Sequence, residues 1–199
     1  TSRSQWRRSS PVPKEWAGQR IFLRFDAIHA GTDYWVNGRH LGYSENLYTP
    51  VEWEITDLVH PGMSNRLDLR MTVATVSETL SISSGYAFHN LGGIDRSVRL
   101  FVLPQTHIKT LHLSTDLDKD YRDADLNLNL TVDGPSEGLS LHVSLIAPDG
   151  KIAKETTEKI TSDIRVPVSN PLKWNAEKPS LYRLVLELVK DGKTLEKIE

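Results

Sequence analysis

Apolar residues in this chain recur at every second position, and that period decides what it can fold into. Ile21, Leu23, Phe25 and Ala27 alternate with Phe22, Arg24 and Asp26, and Leu67, Leu69, Met71 and Val73 alternate with Asp68, Arg70 and Thr72. Val98, Leu100 and Val102 follow, then Leu126, Leu128, Leu130 and Val132, then Leu139, Leu141, Val143 and Leu145, then Tyr182, Leu184, Leu186 and Leu188. Successive strand side chains point to opposite faces, so a period of two gives one apolar and one polar face, as in an antiparallel sheet over a core. No window of about 11 residues or more repeats at the 3.6-residue period of an amphipathic helix. Turn signals punctuate the runs: Asn37-Gly38, Pro61-Gly62, Asp133-Gly134-Pro135, Pro148-Asp149-Gly150 and Asp191-Gly192. Short strands at this spacing predict an all-β protein built of sandwiches.

The sharpest local signal is Tyr34-Trp35-Val36-Asn37-Gly38-Arg39-His40-Leu41-Gly42. Asn-Gly between strand-like runs predicts a two-residue hairpin, because both central residues of a type I′ turn need positive φ. One strand series ends at Leu103-Pro104 and a second begins at Ile108, which divides the chain into units 1–104 and 105–199. At 199 residues, 38% of them hydrophobic and 25% charged, the chain is long enough for a core in each unit. Its net charge of −2 offers no general patch for nucleic acid or a membrane surface, and neither partner is expected. The absence of Cys excludes disulfides, iron–sulfur clusters, thiolate zinc sites and cysteine nucleophiles. Thr1-Ser2-Arg3-Ser4-Gln5-Trp6 has neither an initiator Met nor an apolar leader core, and Thr194 to Glu199 stops mid-pattern. The expectation is a piece of a longer protein.

Chemistry-bearing residues are few. Glu52 and Glu54 flank Trp53 and share one strand face, a spacing compatible with paired glycosidase carboxylates. The favoured reading is a solvent-facing row. The seven His, at 29, 40, 60, 89, 107, 112 and 142, form no metal-ligand spacing, and no nucleophile-elbow motif supports a Ser-His-Asp triad. Asp116-Leu117-Asp118-Lys119-Asp120 lacks the Gly and Glu of a calcium loop and reads as a charged surface loop, and Asn129-Leu130-Thr131 reads as a chance sequon. Tyr86-Ala87-Phe88-His89-Asn90-Leu91-Gly92-Gly93 differs. Aromatic rings beside amide and imidazole groups suit a sugar, which offers an apolar face and a rim of hydroxyls. Phe88, His89 and Asn90 are the candidate substrate-binding residues, and no catalytic or metal-binding residue is expected.

Several segments together resemble family 2 glycoside hydrolases, in the β-galactosidase branch. They are Arg20 to Asp26, Tyr34-Trp35-Val36-Asn37-Gly38 with Leu41 to Ser44, Thr49 to Asp57, Gly92 to Val98, and Trp174 to Tyr182, in order and across nearly the whole chain. The resemblance implies a jelly-roll, galactose-binding-like domain followed by an immunoglobulin-like β-sandwich. In the family these precede a TIM barrel that carries two catalytic glutamates and hydrolyses O-glycosidic bonds with retention. Such a barrel needs about 250 residues and has no room beside two sandwiches. The expected function is therefore a non-catalytic N-terminal part of a hydrolase, meeting its carbohydrate substrate through the full-length enzyme and its barrel. The alternatives are a stand-alone carbohydrate-binding module and a structural tandem sandwich. Ala87 stands where the branch has an Asp that helps bind sodium and sugar, and Asp95 and Ser97 replace the residues flanking its Arg, so no cofactor is expected. The family's first domain begins with earlier strands, whose absence is expected to bare a strand edge and favour a homo-oligomer. A polysaccharide-degrading bacterium's periplasm fits such an enzyme, so a periplasmic or secreted location is expected.

Overall fold

The computed structural model describes residues 3–29, 31–45, 48–72, 75–82 and 92–199. The chain divides into two compact units, Thr1–Leu103 and Pro104–Glu199. Both are β-sandwiches, a jelly-roll type first and an immunoglobulin-like type second.

The first unit holds β1 (Arg3–Pro11), β2 (Arg20–Phe25), β3 (Ile28–His29), β4 (Gly31–Val36), β5 (Arg39–Ser44), β6 (Val51–Glu54), β7 (Ser64–Thr72), a helix α1 (Val76–Ile82), β8 (Gly93–Ile94) and β9 (Val98–Leu103). A four-stranded sheet ordered β1-β7-β4-β5 and a three-stranded sheet ordered β6-β2-β9 enclose the core, with β3 and β8 paired as a short ribbon. The alternation read in the sequence sets which side chains enter that core. Ile21, Leu23 and Phe25 of β2 are buried with Tyr34 and Val36 of β4 and Leu69 and Met71 of β7. Phe25 and Tyr34 meet with ring centroids 5.1 Å apart, and Tyr34 bonds Ser44 Oγ at 2.8 Å through its hydroxyl. Phe22 is the one large apolar residue on the outer face of β2. It stacks on Phe101 of β9 at 5.4 Å.

The β4–β5 hairpin turns at Asn37 and Gly38 with φ of 52° and 83°, the positive values a type I′ turn requires. Asn37 has a second task. Its Nδ2 donates to Leu58 O and to Asn65 Oδ1, both at 2.8 Å, while its Oδ1 accepts from the Arg66 backbone N–H at 2.8 Å. Asn65 is buried, accepts from the His60 N–H, and donates to the His60 and Met63 carbonyls. The two amides tie the hairpin to the loop that leads into β7.

The second unit holds β10 (His107–Leu117), β11 (Ala124–Asp133), β12 (Leu139–Ile146), β13 (Ile152–Lys159), β14 (Asp163–Val168), β15 (Arg183–Lys190) and β16 (Lys193–Ile198). Its sheets are β10-β11-β14 and β13-β12-β15-β16. Leu128, Leu130, Leu141, Val143, Val166 and Leu186 lie at the centre of its core. Asp118 closes the β10–β11 turn by accepting the backbone N–H groups of Asp120, Arg122 and Asp123. Those bonds make a turn from Asp118 onward, whereas Asp116 and Leu117, read as part of the same loop, are the last residues of β10. Asn129 of the sequon lies inside β11 and donates to Asp163 Oδ1 at 2.7 Å.

Strands β1, β13, β14 and β16 lie outside the alternating runs named in the sequence. In β1, Ser4 to Ser9 are exposed, so no buried face imposes a pattern on it. Strand β14 buries Ile164, Val166 and Val168 yet contains Pro167, which its edge position tolerates. The helix α1 has seven residues, too few to show a helical period.

Candidate functional site

Glu52 and Glu54 project from β6 on the face away from the core, where cross-strand neighbours on β2 meet them. Arg20 grips Glu54 with Nε at 3.0 Å and Nη2 at 2.8 Å, and Arg24 Nη1 donates to Glu52 at 2.7 Å. Arg24 Nε also donates to Asp26 at 2.7 Å. That hydrogen bond is the main reason the Asp26 carboxyl lies below the usual carboxylate range. The pair is a charge ladder on a solvated sheet face, with the arginines engaging both carboxylates. It has neither the burial nor the opposed geometry of an acid and a nucleophile. Among the described residues no group of three or more His, Cys, Asp or Glu could hold a metal ion.

Phe88, His89 and Asn90 lie outside the described residues, as do Tyr86, Ala87 and Leu91. The described residues resume at Gly92. Gly93 and Ile94 pair with His29 and Ile28 in the β3–β8 ribbon, and Gly93 adopts φ of 118°, a conformation that favours glycine. Just beyond, Asp95 Oδ2 lies 3.3 Å from His29 Nε2. The His29 ring meets Tyr48 edge-on, with centroids 5.5 Å apart and planes at 90°, and Tyr48 is 63% exposed. An exposed phenol ring, an imidazole and a carboxylate thus stand together, and the carboxylate follows closely in the chain on the segment in which the sequence placed its sugar contacts. Sequence reasoning weighed His29 only as a metal ligand and did not name Tyr48. They are far apart in the chain, and only the ribbon pairing and the ring contact join them to Asp95.

The first unit also has an apolar cavity of about 470 Å³, lined by Trp6, Leu23, Leu67, Leu69, Val98 and Leu100 among others. It lies between β1 and β7 of one sheet and β2 and β9 of the other. Trp6, on the inner face of β1, remains 52% exposed.

Two family models account for nearly the whole chain. Residues 2–104 match the model described as glycosyl hydrolases family 2, sugar binding domain, and residues 106–199 match the one described as glycosyl hydrolases family 2. The chain belongs to glycosyl hydrolase family 2. The segments that resembled that family in the sequence therefore mark real membership. The chain is similar to a β-galactosidase of Clostridium acetobutylicum, 31% identical over 196 residues, which cover 93% of this chain and 20% of that protein. It is also similar to a β-galactosidase of Priestia megaterium, 28% identical over 196 residues, with 92% of this chain and 19% of that protein covered. The chain thus spans about a fifth of the length of these curated relatives. Among solved structures, Ruminococcus gnavus β-glucuronidase superposes with a TM-score of 0.78 at 21% identity, covering 98% of this chain and 33% of that one. That likeness shows the fold. In this chain the stretch Gly92 to Val98 supplies β8 of the β3–β8 ribbon and leads into β9.

Proposed function

We propose that this chain is the non-catalytic N-terminal part of a retaining family 2 glycoside hydrolase of the β-galactosidase type, and that the catalytic glutamates belong to a barrel elsewhere in the parent protein. The observation that carries this is the succession of two family 2 matches, residues 2–104 and 106–199, over a chain spanning about a fifth of the β-galactosidases it resembles. The ion-paired state of Glu52 and Glu54 supports it, since these two fit a structural ladder. In this reading the first sandwich is the sugar-binding-like domain. Phe88, His89 and Asn90 lend contacts to the sugar, and His29, Tyr48 and Asp95 add a ring pair and a carboxylate to the same domain.

The purified 199-residue chain is expected to release no nitrophenol from nitrophenyl β-galactoside or β-glucuronide above the buffer rate. Turnover by the chain alone defeats the proposal. In the full-length parent enzyme, His89→Ala and Asn90→Ala are expected to raise KM by about tenfold each, the value of one or two lost hydrogen bonds to substrate. An unchanged KM in both removes the segment from the site.

Strand β1 supports a homo-oligomer. Among the described residues it lies at a sheet edge and pairs in unbroken register with β7 alone, and an unpaired edge is a template for another strand. In antiparallel self-pairing, Arg7 and Arg8 of two copies would stand close and repel. Sedimentation at rising protein concentration is therefore expected to show more dimer at high salt than at low salt, because salt screens that repulsion. A monomer at every salt and concentration counts against self-pairing.

A further inference from the structure

The outward face of the β1-β7-β4-β5 sheet carries an arrangement that the proposed function does not use. Two rows run across its strands. Arg7, Asp68, Trp35 and His40 are successive cross-strand neighbours, and Gln5, Arg70, Asp33 and Tyr43 form the next row. Asp68 lies at the floor, its side chain 18% exposed, and accepts from Arg7 Nε at 2.5 Å and from Arg66 Nε at 2.7 Å. Asp33 accepts from Arg70 Nε at 3.1 Å and Nη2 at 2.8 Å, and its other oxygen lies 3.1 Å from His40 Nε2. Burial works to raise both carboxyls, but these hydrogen bonds outweigh it and hold both below the ordinary range. The floor is anionic, and three guanidiniums stand above it.

Their orientation carries the inference. Arg7 and Arg66 each use Nε on the floor carboxylate, and among the described residues their terminal amino groups make no other hydrogen bond. The Arg70 guanidinium lies 5.3 Å from the Trp35 ring centre, and the His40 ring lies 4.9 Å from it on a tilted plane. Arg7, Trp35, Gly38, Arg66, Asp68 and Arg70 line a depression of about 520 Å³. Three arginines against two aspartates leave an excess positive charge there. Guanidinium groups held by a carboxylate behind them have lost little freedom still to be lost on binding, and their planar forks match an oxyanion. An indole wall supplies the apolar surface that a pyranose face covers.

We propose that this sheet face is a second carbohydrate site, selective for acidic saccharides, with Arg7 and Arg66 taking the carboxylate of a uronate residue and Trp35 lying against its ring. The proposal does not depend on what Phe88, His89 and Asn90 bind. The test is direct binding to the 199-residue chain, by calorimetry and by Trp fluorescence, with trigalacturonate as the probe and galactotriose as its neutral counterpart. Trigalacturonate is expected to bind at least about tenfold tighter than galactotriose, as charge-assisted hydrogen bonds imply. Its affinity is expected to fall as salt rises. Arg66→Gln and Arg7→Gln are exposed changes that leave the fold standing, and each is expected to weaken trigalacturonate about tenfold while leaving galactotriose unaltered. Equal affinity for the two saccharides overturns the proposal. So does indifference to both arginine changes, or displacement of trigalacturonate by sodium sulfate at equal charge concentration, which would mark a simple anion patch.

Discussion

A Phe25→Ala variant is expected to lose about 4 kcal/mol of stability in the first unit, the range found when a fully buried Phe ring is deleted. Phe25 has 0% exposure and packs on Tyr34, itself in ring contact with Trp53 at 5.3 Å. Removing the ring takes apolar contacts from both sheets at once, and the strands cannot close the gap without moving their backbones. A loss of that size is a large share of a typical domain's total stability. Urea unfolding followed by Trp fluorescence measures it, because Trp6, Trp16, Trp35 and Trp53 belong to the first unit and only Trp174 to the second. A midpoint within the error of the parent protein would mean that Phe25 does not anchor the core.

Asn65→Ala is expected to cost about 3 kcal/mol through a different route. Asn65 is buried and makes four hydrogen bonds, to Asn37 Nδ2, the His60 N–H, the His60 carbonyl and the Met63 carbonyl. Truncation removes all four bonds, each contributing about 0.5–1.5 kcal/mol, and leaves the His60 N–H without its acceptor, while Asn37 Nδ2 keeps Leu58 O and the His60 and Met63 carbonyls keep the Met63 and Val12 N–H groups. Asn65→Asp separates the donor half from the acceptor half. It keeps the acceptor oxygen but turns a carboxylate toward two carbonyls, so it is expected to be no better tolerated than Ala. Thermal unfolding of both variants checks this, and a loss under about 1 kcal/mol in both would show that solvent replaces the network.

The strands with a buried face were legible because burial on one side writes a period of two into the residues. Strand β12 is the plainest case, with Leu139, Leu141, Val143 and Leu145 buried in alternation. Strand β1 was not legible for the opposite reason. Its side chains are exposed on both faces, so its place at the edge depends on pairing with β7 and on no hydrophobic preference of its own. The Asn37-Gly38 turn was legible, since its backbone angles select those residue types. The role of Asn37 as partner of Asn65 was not, because the two lie far apart in the chain and meet only once β7 is beside β4. Glu52 and Glu54 were legible as an exposed row, though their arginine partners on β2 required the register. Family membership was carried by segments, each weak alone, that keep their order. The candidate contacts Phe88, His89 and Asn90 rest on that sequence reading and lie outside the described residues.

By itself, the sequence determined the all-β class, the Asn-Gly hairpin, the exposure of the two glutamates and the resemblance to family 2. Each is a local property, set by side-chain period, by backbone preference or by short motifs. Only the tertiary structure decided that His29, Tyr48 and Asp95 stand together, that Asn37 and Asn65 lock the hairpin, and that Arg7, Arg66 and Arg70 gather around Asp68, Asp33 and Trp35. The physical reason is strand order. Pairing β1 with β7 and β7 with β4 sets side by side residues that are distant in the chain, and nothing in the spacing of an arginine reveals which carboxylate will lie opposite it.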